Sequence, residues 1–86
     1  MPEICRFFGI IISMNYSDHS PPHFHVRYGD MKAVIAIETL TLLAGSLTPR
    51  AFGLVMERAV LHQAELMQNW LLARQQAPLN NVQPLE

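Results

Sequence analysis

The sequence predicts an α+β fold, in which an antiparallel sheet of three to four strands packs against one long C-terminal helix. β-Branched and aromatic residues dominate the first half of the chain, and residues 50–77 contain no helix breaker except Gly53. Half of the 86 residues are apolar and only 15% are charged, which excludes a disordered chain. We expect a single domain over residues 1–86, with a β-sheet region over 1–47, a helix over 48–77 and an extended tail over 78–86.

The first strand is predicted over residues 4–14, where apolar side chains fall on both alternating faces. That pattern is typical of a central strand that is covered on both sides. Residues 15–22 collect Asn, Ser, Asp and two prolines, which favour a loop because proline has no N–H to donate to a neighbouring strand. Residues 38–41 are expected to turn the chain, and residues 42–47 to return as the fourth strand.

The segment HFHVRY, residues 23–28, alternates polar and apolar side chains as a half-buried strand does. Gly29 and Asp30 fit the central positions of a type II′ turn, which requires positive φ at the first of them. A hairpin over residues 23–37 that closes at this turn pairs Tyr28 with Met31. Its register separates an apolar face from a polar one. The apolar face holds Phe24, Val26, Ala33, Ile35 and Ile37, and the polar face holds His23, His25, Arg27, Lys32 and Glu38.

The helix is predicted to start at Thr48 and Pro49, because threonine caps free amides and proline lacks the N–H that a first helical position leaves unbonded. Pro78 ends it. One broad arc of the helix is apolar and should cover the sheet, and the rest is largely polar. The apolar arc contains Phe52, Val55, Met56, Ala59, Val60, Leu66, Met67, Trp70 and Leu71. The polar arc contains Arg50, Glu57, Arg58, His62, Glu65, Gln68 and Asn69.

A second, narrow apolar line of Leu54, Leu61 and Leu72 lies within the polar arc. A straight helix of this length would measure about 40 Å, whereas a globule of this chain length is about 30 Å across. A second subunit would bury the leucine line and the overhanging helix end, so we expect a homodimer formed through helix or sheet-edge contacts. A tail over residues 78–86 that folds back is the alternative cover.

Composition limits the classes of partner and compartment. The formal net charge of −1 gives no global reason to expect nucleic acid or an anionic membrane as a partner. Cys5 is the single cysteine, which excludes an intrachain disulfide and a thiolate-rich zinc site, and it is expected to act as a small hydrophobe. The apolar run GIIISM is too short to span a membrane, so we expect a cytoplasmic protein without a targeting segment.

Three of the four histidines lie in the stretch DHSPPHFHV, residues 18–26. Residues two apart on a strand share a face, so His23 and His25 can converge on one metal ion, substrate atom or phosphate. His19 can supply a third imidazole, and Asp18 or Glu38 an oxygen, as in a site for zinc or a similar divalent metal. Two other interpretations remain open: a metal-free site with His23 and His25 as its catalytic or polar groups, and a structural cluster that bonds to backbone groups.

Arg27 and Lys32 are predicted cross-strand neighbours on the polar face of the hairpin. Together with His23 and His25 they form a small cationic surface able to hold a phosphate. The alternative is an ordinary solvated sheet face whose charge Glu38 balances. His62, on the polar arc of the helix, is expected to be a surface residue.

These residues occur in an order that resembles the small bacterial family known as domain of unknown function 4160. The resemblance rests on Met-Pro-x-Ile at the start, Arg6-Phe7 followed by Gly9-Ile10, the core Asp-His-x-Pro-Pro-His-Phe-His-Val-x-Tyr-Gly over residues 18–29, Arg50-Ala51 at the helix start, and Glu65-Leu66 with Trp70 later. It covers almost the whole chain. The resemblance implies a short stand-alone protein, often encoded beside another small protein in an arrangement similar to toxin–antitoxin pairs. Thr48 and Arg58 depart from the family pattern, which often has proline and tryptophan there.

Two functions are expected. The first is an interaction or regulatory module of such a two-gene system, whose histidine face binds a ligand or a small protein partner encoded nearby. The second is a metal-dependent or histidine-based hydrolase or nuclease that acts on RNA or another phosphoester. In the second, His23 and His25 are metal ligands or the acid and base, and Arg27 and Lys32 stabilise phosphate charge. The expected ligand-binding residues are Asp18, His19, His23, His25, Arg27 and Lys32.

Overall fold

The computed structural model describes residues 2–16 and 18–82. Within these residues an antiparallel sheet holds five strands in chain order, and two helices follow. The strands are β1 (Glu3–Phe7), β2 (Ile10–Ser13), β3 (His23–Tyr28), β4 (Met31–Ala36) and β5 (Leu42–Gly45), and the helices are α1 (Pro49–Leu61) and α2 (Gln63–Arg74). The α+β class and the antiparallel sheet are therefore confirmed. The sheet has five strands where three to four were predicted, and two helices replace the one long helix that was predicted.

A hairpin of β1 and β2 replaces the single first strand that was predicted over residues 4–14. Phe8 and Gly9 have φ angles of 50° and 80°, the two positive values that a type I′ turn requires. Phe7 pairs with Ile10 across the turn. Glycine accepts positive φ readily, so Gly9 was the signal for this turn, and the surrounding apolar run concealed it. β1 consequently lies at an edge of the sheet and not at its centre.

The hairpin predicted over residues 23–37 has the predicted register. Tyr28 pairs with Met31 and Phe24 with Ile35, and the φ of Gly29 is 60°, as a first central turn position requires. The predicted apolar face is the core side of the sheet, because every member is 2% exposed or less. Those members are Phe24, Val26, Ala33, Ile35 and Ile37.

His62 divides the predicted helix into α1 and α2. Its φ of −121° and ψ of 25° lie outside the helical range, and the longest dimension of the molecule is 33 Å. The predicted cap is confirmed, since Thr48 Oγ1 accepts from the Ala51 amide at 3.2 Å. Gln63 Nε2 donates to the Ile37 carbonyl oxygen at 2.6 Å, which fixes α2 at the end of the hairpin. In the described residues, neither helix has the length and hydrophobicity needed to cross a bilayer.

The helix faces that cover the sheet differ from the predicted arc. Val60 and Leu71 are 61% and 54% exposed, whereas the supposedly polar Arg58 and Asn69 are 3% and 1% exposed. The predicted arc leaves out Ala51 and Ala73, which are buried together with its member Ala59. The predicted second line of Leu54, Leu61 and Leu72 is only partly exposed, since Leu54 and Leu72 are half-buried.

Two of the supposedly polar helix residues have interior roles. The Arg58 guanidinium lies 4.4 Å from the centre of the Phe7 ring, a cation–π contact, so Arg58 contributes to the interior. Asn69 anchors the chain after α2: its Nδ2 donates to the Asn80 carbonyl oxygen and its Oδ1 accepts from the Asn80 amide, both at 2.8 Å. The Val82 amide then donates to the Ile4 carbonyl oxygen at 2.7 Å. This part of the predicted tail therefore covers the β1 edge, and residues 83–86 lie outside the described residues.

Two glycines are predicted to respond in opposite ways to substitution by alanine. Gly45 has a φ of 79°, and a Cβ there would overlap the backbone carbonyl oxygen of Lys32, whereas a Cβ on Gly53 in α1 meets nothing within 4 Å. We expect Gly45→Ala to lower the free energy of unfolding by about 2 kcal/mol or more. We expect Gly53→Ala to raise it by about 0.5–1 kcal/mol. Urea unfolding followed by circular dichroism measures both, and similar changes in the two variants would contradict the backbone described at Gly45.

Candidate functional site

The candidate site lies where the loop over residues 18–22 enters β3. The loop contains a cis peptide bond between Ser20 and Pro21. His23 and His25 leave the same face of β3, as the sequence predicted, and their ring centres are 5.2 Å apart. The rings stand nearly edge to face, at 71° to each other, so their nitrogens can point to a common position.

Asp18 is the residue on which both imidazoles converge. Its Oδ2 lies 2.9 Å from His23 Nε2 and 3.3 Å from His25 Nε2. The three residues can each offer one ligand atom such that all three atoms lie within 4.8 Å of one another. Two ligand atoms at about 2.0–2.2 Å from one tetrahedral ion are separated by about 3.3–3.6 Å. The 3.3 Å contact of His25 fits a shared ion, whereas the 2.9 Å contact of His23 is a hydrogen-bond distance and would lengthen by about 0.5 Å when an ion binds.

Both ring nitrogens of His23 face a hydrogen-bond acceptor. Nδ1 lies 2.7 Å from the Pro21 carbonyl oxygen, and Nε2 lies 2.9 Å from Asp18 Oδ2. A neutral imidazole has one N–H and can donate in only one of these contacts. With the proton on Nδ1, the Nε2 lone pair would face an oxygen of the Asp18 carboxylate, which is also an acceptor. The pair is attractive only with a cation between the two atoms, which is either a proton on Nε2 or a metal ion.

His25 is the more accessible imidazole of the two. Its side chain is 23% exposed and that of His23 is 11% exposed. His25 Nε2 also lies 3.4 Å from Asn15 Nδ2, a group that can only donate. Trp70 of α2 packs on the His23 ring, with 5.1 Å between ring centres. Asp18 is 22% exposed, so His25 and Asp18 are the two members of the cluster that a ligand can reach.

Asp18 stays ionised in this environment. Partial burial raises the pKa of its carboxyl group, but hydrogen bonds with the His25 ring, the His19 amide and the His23 ring outweigh burial, and the pKa lies below its ordinary value. An ionised carboxylate beside two imidazoles is the donor set of the His₂-carboxylate metal sites.

Among the described residues, His19 and Glu38 do not join the group of Asp18, His23 and His25 that could share a metal ion. His19 is exposed, and its amide donates to Asp18 Oδ1 at 3.1 Å. Arg27 and Lys32 are cross-strand partners, as predicted, and both are exposed. Glu38 is exposed near the start of α2, where its carbonyl oxygen accepts from Gln63.

Burial and contacts define the environments of two minor candidates, His62 and Cys5. His62 is partly exposed: its side chain is 16% accessible, and Nδ1 lies 2.6 Å from Glu65 Oε1. It lies at the junction of the two helices, which a single helical wheel could not show. Cys5 is buried, as expected for a small hydrophobe, and burial raises the pKa of its thiol.

A groove beside His25 was missed at the level of sequence. It encloses about 470 Å³ on the sheet face that the helices leave open. This sheet groove is lined by residues of all five strands, among them Glu3, Ile11, Ser13, His25, Arg27, Lys32, Val34 and Ala44. Apolar residues at outward strand positions, such as Ile11 and Val34, were the sequence signal for this groove, because an exposed apolar patch on a sheet face often marks a binding site.

The backbone carbonyl of Pro21 and the ring of Trp70 were also missed as parts of the site. A carbonyl group has no side-chain signature in a sequence. Trp70 was assigned correctly to the core side of a helix, but periodicity within the helix does not show which strand residue it contacts.

The fold and the cluster define a small α+β protein with a candidate His₂-carboxylate centre at the end of an open sheet face. The chain belongs to the family described as Domain of unknown function (DUF4160), whose family model matches residues 9–71 of the 86-residue chain. The matched segment includes Asp18, His23 and His25, and most of both helices. No curated protein and no solved structure matches the chain.

Proposed function

We propose that the protein is a metal-dependent binding module, which holds one Zn²⁺ or a similar first-row divalent ion on its histidine face. The proposed ligands are His23 Nε2, His25 Nε2 and one Asp18 carboxylate oxygen. The observation that supports the proposal is the approach of both Nε2 atoms to a single carboxylate oxygen, at 2.9 and 3.3 Å. The alternative is a protonated structural cluster, in which a proton on His23 replaces the metal.

The surroundings of the cluster favour the metal over the proton. Metal-binding histidines generally donate their second ring N–H to a carbonyl or carboxylate, which fixes the tautomer and the ring orientation. The contact between His23 Nδ1 and the Pro21 carbonyl oxygen has this form. Three protein ligands also leave at least one position of a tetrahedral ion for a ligand, and His25 is accessible from that side.

The family resemblance adds a biological setting to the binding role. We propose that the module serves in a small bacterial two-gene system of the toxin–antitoxin kind. The histidine face would there bind a ligand or the small protein encoded nearby. Co-purification of that neighbouring protein with the wild-type chain, and its loss in Asp18→Asn, tests this setting.

A metal-dependent phosphoester hydrolase is the second candidate. It is favoured by Arg27 and Lys32, which lie on the sheet face of His25, where two cations suit a phosphate. A zinc ion would supply the nucleophile by lowering the pKa of a bound water. Zinc-dependent release of nitrophenolate from bis(4-nitrophenyl) phosphate, abolished by His25→Ala, would favour catalysis over binding alone.

Calorimetric titration of tag-free protein with Zn²⁺ tests the proposed centre. We expect one ion per chain, and we expect Asp18→Asn, His23→Ala and His25→Ala each to weaken binding by about 100-fold or more.

His62→Ala is the matched control, because it removes another imidazole paired with a carboxylate, and it should leave the affinity unchanged. His19→Ala should change it by no more than a few-fold. Wild-type affinity in His25→Ala, or an equal loss in His62→Ala, would contradict the proposed ligand set.

Homodimerisation is proposed to use the outward side of the helices. Val60, Leu61 and Leu71 are between 54% and 61% exposed there, and symmetric dimers are the commonest oligomers. We expect sedimentation equilibrium to show a dimer that Leu61→Glu dissociates and that the control Glu57→Gln does not. A wild-type monomer at millimolar concentration would contradict dimerisation, and dissociation by Leu43→Glu instead would move the interface to the β5 edge.

A further inference from the structure

The sheet groove combines an apolar floor with charged walls. Ile11 and Val34 are half-buried members of the floor, and Ala44 extends the floor onto β5. Its volume of about 470 Å³ lies within the range of pockets that bind small organic molecules. The floor is apolar enough to hold a flat or branched hydrocarbon group.

The charges of the groove are unbalanced. Arg27 and Lys32 face each other across β3 and β4, and in the described part of the chain neither has a carboxylate within ion-pair distance. The carboxylate that lines the same groove, Glu3, accepts two hydrogen bonds of 2.8 and 3.0 Å from Arg6. The Arg6 hydrogen bond lowers the pKa of Glu3, and the charge of Arg27 lowers it further, so within the described chain Glu3 offsets part of one groove cation and Lys32 keeps its charge unopposed. Like charges directly opposite each other are unfavourable in a sheet, so an anion between Arg27 and Lys32 would relieve a repulsion as well as form new bonds.

We propose that the sheet groove binds a small organic anion, a carboxylate or phosphate attached to an apolar body. Arg27 and Lys32 hold the anionic group, and the floor around Ile11 and Val34 holds the apolar body. This inference adds the class of ligand to the proposed function. It rests on the proposed metal centre in one respect: the end of the ligand opposite the Arg27–Lys32 anion site would occupy the open position of the metal ion.

The spacing along β3 supports one ligand that spans both ends of the groove. Arg27 and His25 are two residues apart on one strand and on the same face, so their Cα atoms are separated by about 6.5–7 Å. A single aromatic ring with acidic groups at opposite ends has this reach. His25 lines the groove and also belongs to the Asp18 cluster, so it is the residue through which the two halves of the proposed site meet.

The first test uses metal-stripped protein and benzoate, followed by NMR shifts of the Ile11 and Val34 methyl groups. Arg27→Gln and Lys32→Gln should each raise the Kd by about tenfold, and the matched control Arg50→Gln, an exposed cation outside the groove, should not change it. Neutral benzamide should bind wild type about tenfold more weakly than benzoate. Equal Kd values in wild type, Arg27→Gln and Lys32→Gln, or shifts confined to the helices, would overturn the proposal.

The second test uses zinc-loaded protein and compares terephthalate, which has carboxylates at opposite ends of its ring, with benzoate. We expect terephthalate to bind about tenfold more tightly than benzoate when zinc is present. No such difference is expected in metal-stripped protein or in His25→Ala. Equal affinities for the two acids in zinc-loaded protein would overturn the spanning geometry. Failure of the separate zinc titration would instead defeat the proposed metal centre, and the benzoate experiment would still decide whether the groove binds anions.

Discussion

The contact between His23 Nδ1 and the Pro21 carbonyl oxygen determines the chemistry of the histidine loop. His23 Nε2 faces a second acceptor, the Asp18 carboxylate, so one neutral ring cannot donate in both contacts. A second imidazole, His25, approaches the same carboxylate oxygen. One cation satisfies all three groups, and the metal proposal follows from that requirement more than from the number of histidines.

The rest of the fold brings these groups together and leaves them accessible. The register of β3 against β4 places His25 and Arg27 on the face opposite Phe24 and Val26, which form the core. Both helices bury alanines in the core, and Trp70 of α2 contacts the His23 ring. Because the sheet groove lies on the open face, a ligand at the metal and a ligand in the groove share one surface.

Alternation and turn chemistry in the sequence were sufficient to predict the central hairpin, its register and the shared face of His23 and His25. The same signals did not predict the turn at Phe8 or the burial of Arg58. Phe8 looked like part of a strand because its apolar neighbours hid the turn that Gly9 makes, and Arg58 looked like a surface residue because a wheel cannot show an aromatic ring beneath it. Asp18 was predicted as one of two possible oxygen ligands, and the structure groups it, not Glu38, with His23 and His25. The choice between the two depends on the path of the loop, about which periodicity carries no information.

The most direct measurement of the central claim is a long-range ¹H–¹⁵N correlation spectrum of the histidine rings, recorded on tag-free protein before and after one equivalent of Zn²⁺. The spectrum identifies the protonated nitrogen of each ring and the nitrogen that binds the ion. We expect His23 to be protonated at Nδ1 throughout, and the Nε2 signals of His23 and His25 to shift together at one equivalent while His19 and His62 do not move. A proton on His23 Nε2 that persists with zinc present, or a shift confined to His19 or His62, would contradict the account.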